Sequence, residues 1–447
     1  MLGGLLKLNK IKAIKNAWIC LVENEKVMPI FGELHFKDGI IVDLIKQRKY
    51  ETIKSKNHYD AKGKVVTIPL INFHDHIYSR LAKGLKIKGE MNSFTKILSE
   101  FWWKVDLALT KDMIAASAQM AAVESIKNGV TYIFDHHSSP NYSSGSLDLI
   151  SKILKKNNLR GVLCFETSDR NGSKKAKEGI KENINFIKAH LNDSEIKSMF
   201  GMHASFTLTE ETLKYIGDEV AGKDIGVHIH VAEDKADVEE SIKRYKLHPI
   251  DRLIKYKLLN ERSILAHGVH LKSNDLRKLS LYGVSIAVNI ESNMNNSVGV
   301  HKFKNYPEDV SLLCGTDGMH ANPASTFKLY FQMLRLQGFS FAEAFQRINK
   351  IYFDQISFVK KYFSDFSLLN VGQRADFIVW DYVPPTPITQ DNFFGHLIYG
   401  ILNRKVHSVF QKGKALMHEY KLQFINEAVV NRNIYSSGKK LFEYFNK

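Results

Sequence analysis

Cysteine is scarce in this sequence: three in 447 residues, Cys20, Cys164 and Cys314, far apart and in apolar contexts. An odd, scattered set excludes a disulfide framework and a Cys-x-x-Cys site, and it fits a reducing cytoplasm. No apolar run approaches membrane-spanning length, so no membrane partner is expected. The dinucleotide fingerprint G-x-G-x-x-G is missing where an open Rossmann sheet would need it. Zinc-finger and RNA-binding motifs and internal repeats are absent too. Acidic residues are in deficit, 47 against 63 Lys and Arg, which leaves a formal charge of +16. The excess is scattered lysine, as in "LIKQRKYETIKSKNHYDAKGK". A solvated Lys-rich surface follows, with non-specific attraction to polyanions as a side effect and no specific nucleic-acid partner. The opening stretch "MLGGLLKLNKIKAIKNAW" is basic and only partly apolar. It is expected to begin the folded chain, a peripheral basic arm being the alternative.

The length exceeds one ordinary compact domain, and 44% hydrophobic residues can fill a sizeable core. Residues 16–66 are dense in β signals, with Lys37-Asp38-Gly39 as a tight turn, and similar material returns in "RADFIVWDY" and "HSVFQKGKALMHEY". Two β-rich ends imply one small β-sandwich built from residues 1–66 and 371–447. The middle, 67–370, alternates. Strand candidates are 65–74, 130–136, 160–168, 198–206, 225–232, 262–269, 283–290 and 310–316, with helices between most of them. The clearest helix is "KDMIAASAQMAAVESIKNG", capped by Thr110 and stopped by Asn128-Gly129. Strands with helical crossovers in this number predict an α/β chain whose middle is a (β/α)8 barrel.

Catalytic groups of such barrels sit at the C-terminal strand ends. "TIPLINFHDH" ends in His74 and His76, which share strand parity. Alone, a His-x-His is as compatible with a loop as with a site. Later strand ends add His136 and His137, Glu166, His203, His228, His230 and Glu233, His267 and His270, then Asp317. Any one of them could be a structural histidine, but their recurrence at strand after strand weakens that view. Neutral imidazoles with a carboxylate are what a divalent transition metal selects, zinc first and iron second. Phe101, Trp102 and Trp103 in "SEFWWKVDLALT" are read equally as a flat wall for a ring and as an amphipathic helix.

The order His-x-His, His, His, Asp on strands one, five, six and eight resembles the amidohydrolase superfamily, in its deaminase and chlorohydrolase branch. "DAKGKVVTIPLINFHDH", "IFDHHSSP", "HASFTLTEETL", "HIHVAED", "ESNMNN" and "VGQRADFIVWD" extend the likeness over nearly the whole chain, with the SsnA group of aminohydrolases as the nearest match. The resemblance implies one divalent metal on His74, His76, His230 and Asp317. It implies Glu233 as general acid/base and His267 as a group that orients the attacking water or polarises the substrate. It makes His203 a hydrogen-bond donor to the substrate, with Trp102, Trp103 and Ser292 in the pocket. His228 and His270 are each read as a supporting partner or as a bystander. Strand four offers no lysine to bridge a second metal; Glu166 is the alternative second ligand, against a salt bridge with Arg170. Two departures, Val288 with Ile290 and Leu70, put the pocket around Ser292 and Asn293 in doubt. The expected activity is hydrolytic deamination of a heteroaromatic small molecule, with dechlorination or cyclic-amide opening as relatives of it. The rival is a non-catalytic metal-binding barrel, which would have no use for Glu233 and His267 beside an open position. A nucleic-acid base deaminase is excluded by the missing His-x-Glu and Pro-Cys-x-x-Cys pair. The oligomeric state is open, a homo-oligomer included.

Overall fold

The computed structural model describes residues 11–53, 55–86 and 89–446. Of the basic opening stretch, the first ten residues lie outside the described residues, and from Ala13 it belongs to a strand. Among the described residues, no helix is long and apolar enough to cross a membrane.

The chain divides into two compact units. One takes the chain up to Ile71, Val123–Tyr132 and Ser340–Glu427. Its nine-stranded sheet joins both chain ends: strands at 13–23, 26–37, 40–46, 58–60 and 65–67 meet strands at 377–380, 406–411, 414–418 and 421–422. The seam is Val65–Thr67 against Phe377–Trp380, antiparallel, and Trp380 Nε1 donates to Thr67 Oγ1 at 2.9 Å. Phe36 packs on Phe377 and Phe410, whose rings stack at 4.6 Å. The expected hairpin turn at Asp38-Gly39 and a second at Lys412-Gly413 are present as left-handed pairs. Such φ values match the twist of two-residue hairpins, which is why Gly follows Asp or Lys there.

The second unit takes Asn72–Ala122, Ile133–Phe339 and Ala428–Lys447. Eight strands run along the middle of the chain: β1 Leu70–Asp75, β2 Val130–His137, β3 Arg160–Phe165, β4 Phe200–Ala204, β5 Val227–Val231, β6 Ile264–His267, β7 Ser285–Val288 and β8 Ser311–Cys314. β4 to β8 form a parallel sheet in chain order, while β1, β2 and β3 with Ile196–Ser198 form another. Isolated parallel bridges link the edges of the two sheets, Asp75 to Asp317 and Thr167 to Met202. Backbone bonds strengthen both seams: Thr316 N and Asp317 N donate to His74 O at 3.0 and 2.9 Å, and His203 N donates to Thr167 O at 2.9 Å. Strand residues are buried on both faces, as parallel sheets covered by crossover helices require.

The eight strand candidates all occur, six of them with shorter ends and the first two running one residue further, to Asp75 and His137. The first is split at Ile68-Pro69, so that Val65–Thr67 pairs in the nine-stranded sheet while Leu70–Asp75 begins the parallel one. Proline has no N–H for a ladder, which makes that position a natural break. Truncation after residue 370 would remove four strands and leave Val65–Thr67 an open edge. The expected outcome is insoluble protein, checked by the soluble fraction against full-length chain; a soluble fragment 67–370 that melts cooperatively would contradict it.

Candidate active site

β1 ends at Asp75, and His76 opens a 3-10 turn, Ile77–Ala82. Asp75 is fully buried and takes the guanidinium of the equally buried Arg80, with Arg80 Nη2 at 2.6 and 2.7 Å from its two oxygens. Arg80 Nη1 also donates to His76 O at 3.2 Å, and Asn72 Nδ2 donates to Asp75 Oδ2 at 2.9 Å. The residue between the two histidines thus anchors the turn that presents them.

The proton positions on two rings follow from their partners. His76 Nδ1 lies 2.6 Å from His136 O, and His230 Nδ1 lies 2.8 Å from His203 O. A carbonyl only accepts, so each Nδ1 carries the hydrogen and each Nε2 can present a lone pair. Those two Nε2 atoms are 3.1 Å apart, and Asp317 Oδ1 is 2.9 Å from His76 Nε2. His74 Nε2 is 3.4 Å from the same Oδ1 and is buried without a hydrogen-bond partner. Acceptors crowded in this way require a positive charge among them. The His76 imidazole registers that demand: burial works against its charge, but the Asp317 carboxylate outweighs burial and lifts its pKa to about 10. His74, deeper, is pulled by burial down to about 3. Imidazole nitrogens with one carboxylate suit zinc or a similar divalent cation, so the residues fit such a group. Two overlapping donor sets exist, each within 4.8 Å: His74, His230, His267 and Asp317, and His76, His136, Glu166 and His230.

Glycine is needed beside this cluster. A Cβ on Gly315 would come 2.3 Å from Asn289 Oδ1 and 2.7 Å from His74 Cβ. Asp317 itself has φ 53° and His267 φ 73°, left-handed values that cost energy in non-glycine residues and collect at functional sites.

A cavity opens over the cluster. His76, His203, His230, Glu233, Ser292, Asp317, Trp102 and Trp103 line it, while His74 and His267 lie just behind, fully buried. Glu233 Oε2 is 3.4 Å from His267 Nε2, and Asn296 Nδ2 reaches Glu233 Oε1 at 3.4 Å. Burial, with Asp317 also raising it, lifts the Glu233 carboxyl to about 7 against the pull of His267. His267 is oriented by Asn293, whose Oδ1 is 2.7 Å from Nδ1. His203 Nδ1 bonds Thr207 Oγ1 at 2.8 Å, and Ser292 Oγ donates to Asp317 Oδ2.

The aromatic run divides between the core and the cavity. Phe101 is buried, whereas Trp102 and Trp103 reach the cavity from a π-helical turn, Leu98–Trp102, that runs into a short α-helix. Glu166 pairs with Arg170 at 2.5 Å, and Arg170 also holds Asp106. His228 Nε2 is 2.8 Å from His74 Nδ1, and His270 bonds Val298 O. Sequence reasoning missed Asp75 and Arg80, although a carboxylate inside His-x-His with an arginine five residues on was a readable signal. It also missed the lining residues Asp106 and Asn296, for which local sequence held none.

A parallel α/β unit with a histidine and aspartate cluster at its strand ends defines a metal-dependent hydrolase class. The family comparison then settles membership: residues 65–416 match the amidohydrolase family, and the chain belongs to it. It is 25% identical to the 5'-deoxyadenosine deaminase of Methanosarcina barkeri over 437 residues, 96% of this chain and 98% of the relative. It is 26% identical to the 5-methylthioadenosine/S-adenosylhomocysteine deaminase of Thermococcus onnurineus over 424 residues, 92% and 94% of the two chains. An adenosine deaminase of Xanthomonas campestris solved with bound zinc shares the fold at TM-score 0.75 and 18% identity, covering 97% and 98%. The chain is an enzyme, an aminohydrolase.

Two predictions follow from the cluster's supports. Gly315→Ala should displace His74 and lower bound metal well below the wild-type ratio, measured by elemental analysis of the dialysed protein. Arg80→Met should strand Asp75 as a buried unpaired charge and destabilise the fold by about 3–5 kcal/mol, read by denaturant unfolding.

Proposed function

We propose that this chain hydrolytically deaminates an uncharged, purine- or pyrimidine-like heteroaromatic amine, using one divalent metal, zinc or iron, held by His74, His76, His230 and Asp317. The observation that carries this is the crowding of the His76 and His230 Nε2 atoms and an Asp317 oxygen in one cluster, with Glu233, a carboxyl raised to about 7, in the same cavity. A bound divalent cation would supply water acidic enough to attack at neutral pH. Glu233 accepts a proton from the attacking water and returns one to a ring nitrogen or the leaving amine. Bond making and breaking balance: the ring carbon gains oxygen from water and loses ammonia. His267, held by Asn293 beside Glu233, orients the attacking water or polarises the substrate. His203 hydrogen-bonds the ring, and Trp102 and Trp103 supply its flat wall. The likeness to the SsnA group belongs to the same reading. So does the architecture: the two bridged parallel sheets as one closed (β/α)8 barrel over 67–370, and the sheet from both ends as a β-sandwich domain.

The cavity's charge narrows the substrate. Its walls include Asp106, Glu166, Glu233, Asp237 and Asp317, and among the described residues no Lys or Arg lines it. Arg170, behind the wall, is engaged by Glu166 and Asp106. A phosphate on the substrate, away from the metal, would meet carboxylates with no Lys or Arg among the described lining residues to pair it. The nucleosides named by the relatives, 5'-deoxyadenosine first, are therefore the probes of choice.

Ammonia release from purines, pyrimidines, nucleosides and pterins tests the reading; metal-loaded enzyme inert toward all of them would overturn it. Turnover of a nucleoside is expected to exceed that of its 5'-phosphate by at least about 100-fold, the value of roughly 2.7 kcal/mol. Metal analysis should give close to one equivalent per chain. Glu233→Gln should retain that metal while losing about 100- to 10,000-fold in turnover, whereas His230→Ala and Asp317→Ala should lose metal and activity together. A Gln variant with full turnover would remove Glu233 from the mechanism.

A further inference from the structure

His267 and Gly268 are consecutive left-handed residues, φ 73° and 71°. A histidine holds such a backbone only where its surroundings enforce it. On the N–H side, Gly268 N donates to Val231 O and His270 N donates to Ala232 O, both at 2.9 Å. On the carbonyl side, two buried side chains from one downstream segment complete the grip. His301 Nε2 lies 2.7 Å from His267 O, and Tyr306 Oη donates to Gly268 O at 3.0 Å. A ring nitrogen facing a carbonyl must carry the proton, so His301 is the donor.

His301 is itself fixed. It is 2% exposed, its ring stacks on Phe303 at 5.1 Å and 11°, and Gln337 Nε2 donates to its carbonyl at 2.6 Å. Gln337 Oε1 also accepts from Phe303 N at 2.9 Å. The latch is reciprocal, because His270 Nε2 donates to Val298 O at 2.7 Å. Neither His301 nor Tyr306 lines the cavity.

We infer that His301, assisted by Tyr306, is a positioning residue for the reaction: it fixes the peptide that aims the His267 ring at Glu233. The inference rests on the proposed roles of Glu233 and His267. The backbone bond sets where the ring starts and Asn293 sets how it turns, so losing the first leaves His267 present but misaimed. Misplacement of a reacting group by an ångström is enough to slow chemistry about a hundredfold.

The test compares zinc-loaded wild type with His301→Leu, His301→Gln and Tyr306→Phe. The measurements are kcat and KM on 5'-deoxyadenosine, zinc content, melting temperature, and the visible spectrum of cobalt-substituted protein. His301→Leu is expected to lose roughly ten- to a hundredfold in kcat, with KM within about threefold and zinc unchanged. His301→Gln, whose amide can still donate to the carbonyl, should recover most of that loss. Tyr306→Phe should lose several-fold, and it carries the test if His301→Leu does not fold. Folded, zinc-loaded Leu and Phe variants with wild-type kcat would overturn the inference, as would a Gln variant as impaired as Leu. If wild type releases no ammonia from any probe, the proposed function has failed, and the cobalt spectra then decide the latch. A spectrum altered in Leu and restored in Gln supports it, and identical spectra refute it.

Discussion

The site depends on where two protons sit. Backbone carbonyls of His136 and His203 claim the Nδ1 hydrogens of His76 and His230, and that leaves the two Nε2 lone pairs facing one another, with Asp317 beside His76. The carbonyls belong to β2 and to β4, while the rings rise from β1's end and from β5. Each ring's chemistry is thus set by the strand beside it. A shift of one residue in strand register would exchange the carbonyl for a different group and undo the tautomer.

This coupling explains what the sequence could and could not convey. Strand ends rich in histidine announce themselves: His-x-His, "HIHVAE" and "LLCGTDG" stand at the ends of apolar runs, and the structure brings their residues into one cluster. The break at Pro69 was equally readable from the missing N–H and was passed over because the apolar run continues across it. Tautomers were not readable, since the deciding carbonyls come from residues 27 and 60 positions away. The Asp75 and Arg80 pair is local, yet its meaning depends on full burial, and a charge pair five residues apart is usually a solvated one. His301 was invisible for a similar reason: nothing near it in sequence marks the strained peptide it holds.

Charge is distributed against the average. The chain is strongly basic, with +16 overall, but the described wall of the cavity carries carboxylates and histidines and no Lys or Arg. Lysine is spent on the surface, where solvation is cheap, while acidic groups sit where burial can raise a carboxyl toward neutrality, as at Glu233.

The π-helical turn at Leu98–Trp102 carries a consequence for how such a pocket changes over time. Neighbouring residues of a regular helix diverge by about 100°, yet Trp102 and Trp103 both face the cavity. A π turn is an α-helix with one residue inserted and its ends left in place. Deleting one residue here would restore the regular winding and swing a different pair of side chains inward without disturbing the strands that carry the cluster. This wall of the cavity is therefore adjustable by single insertions and deletions, a route to a reshaped pocket that substitution at the strand ends does not offer.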